Sequence, residues 1–152
     1  VSVLRHQSVT DHELASSVQM IIAQRLVRTL CPACRAPTKL SDHEHAWLVS
    51  QGVTPPQQVF HPRGCDQCHG LGYFGRTGVF EIWPLSQIVQ KLIAHGADAG
   101  ELRRRMQRQG HSSLLDNGLA LVASGHTSLD ELTRLCSLFV PGDQALTGEA
   151  AQ

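Results

Sequence analysis

The chain has 152 residues with thirteen acidic and thirteen basic side chains, so it can bury a core but carries zero formal net charge. That balance gives no electrostatic case for nucleic acid or an anionic membrane, and no apolar run approaches the roughly 20 residues of a membrane span. Five cysteines, four of them in two close pairs, suit reduced thiols and a metal better than a secreted disulfide scaffold.

There is no initiator Met and no signal-peptide pattern, and the opening Val1-Ser-Val-Leu4 reads as the interior of a longer protein. From Asp11 to Leu30, Leu14, Val18, Ile21, Ile22, Leu26 and Leu30 recur at helical spacing. The pattern predicts one long helix, capped by Thr10 or Asp11, running into the first Cys pair. Ser41-Asp-His-Glu44 is a capping-box pattern and Gly52 a stop, so a short helix is expected between the Cys pairs. Thr54-Pro55-Pro56 then favours an extended run towards Val59 and Phe60. After the second Cys pair, aromatic and β-branched residues predict a short strand around Tyr73 and Phe74 and another from Gly78 to Trp83.

Four more helices are expected. The first starts at Ser86 and stops at Gly96; the second starts at Asp98 with Glu101 and ends at Gly110. The third opens at Ser112 or Ser113 and ends near Gly125. Ser128-Leu-Asp-Glu131 opens the last, carrying Leu129, Leu132, Leu135 and Leu138. Beyond Pro141 the composition predicts a disordered tail.

Cys31-Pro-Ala-Cys34 and Cys65-Asp-Gln-Cys68 are two C-x-x-C knuckles. A two-residue gap lets both sulfurs of a knuckle reach one ion, and two knuckles supply the four tetrahedral ligands of a closed structural Zn²⁺ site. Thirty residues separate the knuckles, which is longer than the commonest finger spacing. Four thiolates around Zn²⁺ leave a net negative charge, which Arg28, Arg35, Lys39 and Arg63 are placed in sequence to offset. The alternative is two unrelated pairs, redox-active or merely buried. His61 and His69 lie nearby, but four cysteines already fill the sphere. A filled sphere leaves no open position for chemistry, so the ion's contribution is folding free energy.

Cys65-Asp-Gln-Cys68-His-Gly70-Leu-Gly72 also fits the C-x-x-C-x-G-x-G repeat of the DnaJ-type chaperone module, but that module needs several copies and only one is present. The glycines have a plainer use, letting the backbone turn sharply after a knuckle. There is no G-x-x-x-x-G-K-[ST], no G-x-G-x-x-G opening a helix, no H-E-x-x-H and no G-x-S-x-G. Cys136 reads as a core residue, since reactive thiols sit in electropositive, partly exposed places. The basic run Arg103-Arg-Arg-Met-Gln-Arg108 reads as the solvated face of a helix that is able to hold an acidic partner.

Ala23-Gln-Arg-Leu-Val-Arg-Thr-Leu-Cys-Pro-Ala-Cys-Arg35 resembles the C-terminal part of the type II secretion and type IV pilus assembly ATPases. Gly64-Cys-Asp-Gln-Cys68, Gly75-Arg-Thr-Gly-Val-Phe-Glu81 and Gly125-His-Thr-Ser-Leu-Asp-Glu-Leu132 extend the resemblance from about Leu4 to Leu135. It implies an α+β, mostly helical chain forming the C-terminal portion of a RecA-like motor domain with a zinc-binding insertion. The segments it suggests are residues 1–30 as the end of the ATPase core, 31–72 as the tetracysteine subdomain, 73–140 as a strand plus a helical subdomain, and 141–152 as tail. It further implies Zn²⁺ on Cys31, Cys34, Cys65 and Cys68, and a hexameric parent in the cytoplasm, peripheral to the bacterial inner membrane. The partners implied are neighbouring subunits and inner-membrane platform proteins.

ATP and Mg²⁺ are expected only in the full-length parent, whose phosphate-binding loop and acidic motifs belong upstream of Val1; the chain alone is expected to be inactive. Arg25 and Arg28 can approach a nucleotide or a neighbouring subunit, or simply pair charges on a helix surface. The rival function is a zinc-ribbon-like nucleic-acid module, against which stand the neutral charge and the lack of an aromatic-plus-basic face.

Overall fold

A computed structural model describes residues 2–137, with side chains described from Val3 to Leu135. The thiol of Cys136, Leu138 and the tail at 141–152, on which expectations were placed, lie outside the described residues.

The chain is α+β. Two short helices, α1 (Ser2–His6) and α2 (Asp11–Ser17), precede strand β1 (Met20–Leu30) and strand β2 (Ala36–Thr38). Helix α3 (Asp42–Ser50), strand β3 (Val59–His61) and a single 3-10 turn at Asp66–Cys68 lead to strand β4 (Tyr73–Pro84). Four helices follow: α4 (Gln87–Ala94), α5 (Ala99–Arg108), α6 (Leu114–Ala123) and α7 (Leu129–Ser137). β1 pairs with β4, and β2 pairs antiparallel with β3 in the register Ala36 to His61 and Thr38 to Val59.

The expected long helix from Asp11 to Leu30 is not formed. Its first two turns are α2, where Thr10 Oγ1 accepts from the Glu13 N–H and the Glu13 carboxylate accepts from the Thr10 N–H. After Val18 turns extended, the chain is a strand. Ile22 and Leu26, which the helical stripe placed in the core, are each 57% exposed, while Val27 and Leu30 are buried. Burial alternates over Met20 to Gln24, which is the period of a pleated strand. Ile21, Ile22, Val27 and Thr29 are β-branched, and pairing with β4 decides in favour of the extended form. The two strand pieces expected around Phe74 and Val79 are one continuous strand, which passes through Gly75 at φ +77°.

The other helices start where their caps lie. Ser41 and Glu44 form a capping box, Asp98 Oδ1 accepts from the Glu101 N–H, and Ser113 Oγ accepts from the Asp116 N–H. Gly52, Gly96, Gly110 and Gly125 follow four of the helices at positive φ.

The chain packs as two compact units that interleave along the sequence. Among the described residues, the first comprises those up to Gln24 together with Phe80–Asn117; the second comprises Arg25–Val79 and 118–137. The first unit is built on Leu14, Leu85, Val89, Ile93, Leu102 and Met106, with Ile21 and Trp83 packed against them. α2 lies on α4 there. The second buries Val27, Leu30, Leu48, Val59, Val79, Val122 and Leu132, and contains both C-x-x-C pairs.

Candidate metal centre

Three backbone features bring the knuckles together. Cys31 follows directly on β1, and its N–H donates to the Gly72 carbonyl at 2.9 Å, which ties the first knuckle to the end of the second. The N–H groups of Cys34 and Arg35 both donate to the Cys31 carbonyl, closing the first turn. The β2–β3 pairing begins two residues after Cys34 and ends four residues before Cys65, so the long insert leaves and returns at one place. The helix α3 inside the insert is separately capped, so the loop has structure of its own.

The second knuckle turns on glycines. Gly64 has φ +87°, and a Cβ there would stand 2.5 Å from the Gly70 carbonyl oxygen. Gly72 has φ +73°, and a Cβ there would stand 2.3 Å from Pro62 Cβ. Both positions therefore need glycine for its conformation and for close approach of the backbone. His69, at φ +52°, completes the turn.

The four sulfurs of Cys31, Cys34, Cys65 and Cys68 lie within 4.8 Å of one another. Cys31 to Cys65 and Cys34 to Cys68 are 3.8 Å apart, and Cys65 to Cys68 is 3.7 Å. A tetrahedron with Zn–S bonds of about 2.3 Å has edges of about 3.8 Å. The donor set therefore fits a tetrahedral thiophilic ion, and none of these cysteines is in a disulfide. Cys31 and Cys68 are buried, which keeps water from that side of the cluster.

The electrostatics of the cluster come from the backbone more than from the cations expected. The N–H groups of Cys65 and Gly72 donate to Cys68 Sγ at 3.2 and 3.1 Å. Burial pushes the Cys68 thiol up, but these two donors and the neighbouring Cys65 and Cys34 thiols outweigh it and bring it down to about 7. Burial pushes the Cys34 thiol up to about 11, and the sulfurs of Cys68, Cys65 and Cys31 act in the same direction. Of these two thiols Cys68 gives up its proton more readily than Cys34. A divalent cation would bind the thiolate forms and displace their protons. Two of the four cations placed nearby by sequence are engaged elsewhere. Arg35 donates to the Gly125 carbonyl and lies over Phe60, and Arg28 pairs with Glu131. His61 faces Glu44 at 4.0 Å, and neither it nor His69 belongs to the sulfur cluster.

Arg28 sits on β1, so its charge pairing is not on a helix surface. Its guanidinium lies 4.0 Å from the centroid of Tyr73 and donates to Glu131 Oε1 at 2.6 Å. Glu131 also accepts from the Arg28 N–H and from Arg134. Its carboxylate is buried, which raises its pKa, but the bonds from Arg28 and the charges of Arg28 and Arg134 hold it below the ordinary carboxylate value. Thr127 Oγ1 donates to the Arg28 carbonyl, and Ser128 Oγ meets the Tyr73 hydroxyl at 2.8 Å. Sequence reasoning placed Glu131 in the capping pattern of Ser128 and in the stretch that carries the resemblance, and gave it no contact with Arg28. The available signal was Thr127-Ser128 and Glu131, polar residues set among leucines that are all buried here.

A family model described as type II/IV secretion system protein matches residues 1–134. The chain belongs to that family. Among its relatives, the type II secretion system protein E of Aeromonas hydrophila is 40% identical over 133 residues, covering 87% of this chain and 26% of that protein. A putative type II secretion system protein E of Escherichia coli is 39% identical over 137 residues, covering 90% and 27%. The type IV pilus assembly ATPase PilB of Acinetobacter baylyi is 34% identical over 140 residues, covering 88% and 24%. The secretion-family chain thus spans about a quarter of the length of the curated relatives it matches. Among its described residues, no helix is long and apolar enough to cross a membrane.

Proposed function

We propose that this chain is the zinc-binding C-terminal portion of a type II secretion or type IV pilus assembly motor ATPase. In this reading Cys31, Cys34, Cys65 and Cys68 hold one structural Zn²⁺, and residues 31–72 form the metal-binding subdomain. The observation that carries it is the sulfur spacing of 3.7–3.8 Å in a member of this family. All four ligand positions are taken by protein, so the ion would supply folding free energy and leave no site for a reacting water. It would fasten β1 to the start of β4, the two strands that pass through both packing units.

ATP binding and hydrolysis belong, in this proposal, to a RecA-like core in the remaining length of the full protein. The sequence holds no G-x-x-x-x-G-K-[ST] loop, and phosphoryl transfer needs such a cradle, a carboxylate for Mg²⁺ and a residue to position water. The chain's own role is to present surfaces to neighbouring subunits of a hexamer and to inner-membrane platform proteins, on the cytoplasmic side. Two surfaces support that role: the zinc subdomain, and α5, where Leu102 and Met106 are buried while Arg103, Arg104 and Arg108 are exposed.

Elemental analysis of protein purified without added metal should find about one zinc per chain. Calorimetry with Mg-ATP should show no micromolar binding, and phosphate release should stay at the buffer level. A stably folded chain with four free thiols and no metal would remove the zinc assignment. Turnover that co-purifies with the chain and disappears when Cys31 and Cys65 are replaced would make the site catalytic instead.

A further inference from the structure

The second packing unit carries a cavity of about 530 Å³ that the metal site does not use. Arg28, Arg76 and Arg134 line it, with Glu131 as its acid, and Leu26, Leu71 and Tyr73 complete the wall. We propose that this cavity docks an acidic segment of a partner protein, with the carboxylates of the segment on the three guanidinium groups and its apolar side chains on Leu26 and Leu71.

The charge balance supports the proposal. Glu131 is 3% exposed, and its two oxygens are taken up by Arg28 and Arg134. It holds those two side chains in place from below and presents little carboxylate to the cavity. Arg28 and Arg134 nevertheless remain 47% and 68% exposed. Arg76 is exposed and no ion pair holds it among the described residues. Three cations against one spent anion leave the pocket basic in a chain whose formal charge is zero. Guanidinium groups in fixed positions favour carboxylates that arrive in bidentate geometry.

The apolar rim argues for peptide over nucleotide. Leu26 and Leu71 are 57% and 69% exposed, which is the anatomy of a protein contact with arginine anchors beside aliphatic side chains. The one aromatic ring lining the cavity, Tyr73, already carries Arg28 on one face, 4.0 Å from its centroid, so that face is not open to a base. None of the residues lining this surface is one of the four cysteines, although the Leu71 N–H donates to the Cys68 carbonyl, and the proposal stands without the motor assignment.

The test uses the full 152-residue chain and two fluorescein-labelled octapeptides, one alternating Asp and Leu and one alternating Asp and Ser. Anisotropy should show the Asp-Leu peptide binding at least tenfold tighter than the Asp-Ser peptide. Binding should weaken at least tenfold between low and moderate salt, as close charge pairing demands. Arg76→Glu reverses a charge that supports no fold contact, and it should lower affinity at least tenfold with an unchanged circular dichroism spectrum. Leu71→Ser should reduce the preference for the Asp-Leu peptide without removing the salt dependence. Equal binding of the wild type and Arg76→Glu would overturn the proposal. So would an absence of binding at low salt, complete displacement of the peptide by inorganic triphosphate at stoichiometric concentration, or binding only to anionic phosphatidylglycerol vesicles.

Discussion

Replacing Glu131 by Gln separates two contributions that the structure joins at one carboxylate. The variant keeps the shape and one acceptor oxygen, but it points an amide N–H₂ towards guanidinium donors and removes the charge between Arg28 and Arg134. Breaking a fully buried pair costs about 3–5 kcal/mol, mostly because the abandoned charge stays dry. Here the abandoned charges are arginines that are 47% and 68% exposed and can rehydrate. What is lost is then the charge-assisted bonding at the buried end, on the order of 2 kcal/mol. Urea titrations of both proteins at neutral pH should show that difference as a lower midpoint with an unchanged slope.

The pH dependence of the difference gives a sharper check. Glu131 has a lower pKa folded than unfolded, so its contribution is fully present above the ordinary carboxylate value of about 4.3. It fades as the pH falls below that value and through the folded one. The two stability curves should therefore stay apart at pH 6–7 and converge in acid, while any acid loss of metal acts on both proteins alike. A gap that persists unchanged from pH 7 to pH 3, or no gap at pH 7, would show that the buried carboxylate is not the source.

Two other substitutions probe the packing and the metal. Cys68→Ser removes the sulfur that collects two backbone N–H donors, and zinc content should drop well below one per chain. Structural zinc in small peptide sites contributes on the order of 10 kcal/mol of apparent binding free energy, so amide exchange between Leu30 and Tyr73 should quicken strongly. α4 and α5 should keep their protection, because the core of Leu14, Val89, Ile93 and Met106 holds them separately; simultaneous loss there would refute the two-unit packing. Gly118→Ala gains about 1 kcal/mol of helix propensity but places a Cβ 2.3 Å from Leu132 Cδ1, on a side chain that is fully buried. Overpacking of about 1–3 kcal/mol should win and lower the melting temperature by several degrees; a rise would refute close packing of α6 on Leu132 of α7.

The cysteines were legible because the chemistry that relates them is local. Two sulfurs separated by two residues reach a common point whatever precedes or follows them, so the pairing of Cys31 with Cys34 and of Cys65 with Cys68 did not depend on knowing the fold. The same holds for the capped helices, where Ser41, Asp98 and Ser113 accept from an N–H only a few residues ahead. The region from Met20 to Leu30 failed for the opposite reason. Leu14, Val18, Ile22, Leu26 and Leu30 satisfy a helical stripe, yet from Met20 onward the residues read as a strand once the β-branched positions are weighed, and only the partner strand decides between them. β4 lies over forty residues downstream, beyond the zinc insert, and nothing in the window around β1 reports it. Moving the boundary from helix to strand also changed the reading of Arg28: on a helix it was one charge among several, whereas on β1 it meets Tyr73 of β4 and Glu131 of α7. The contact that the sequence hid is thus a direct consequence of the element that it misassigned, and both trace to a single long-range strand pairing.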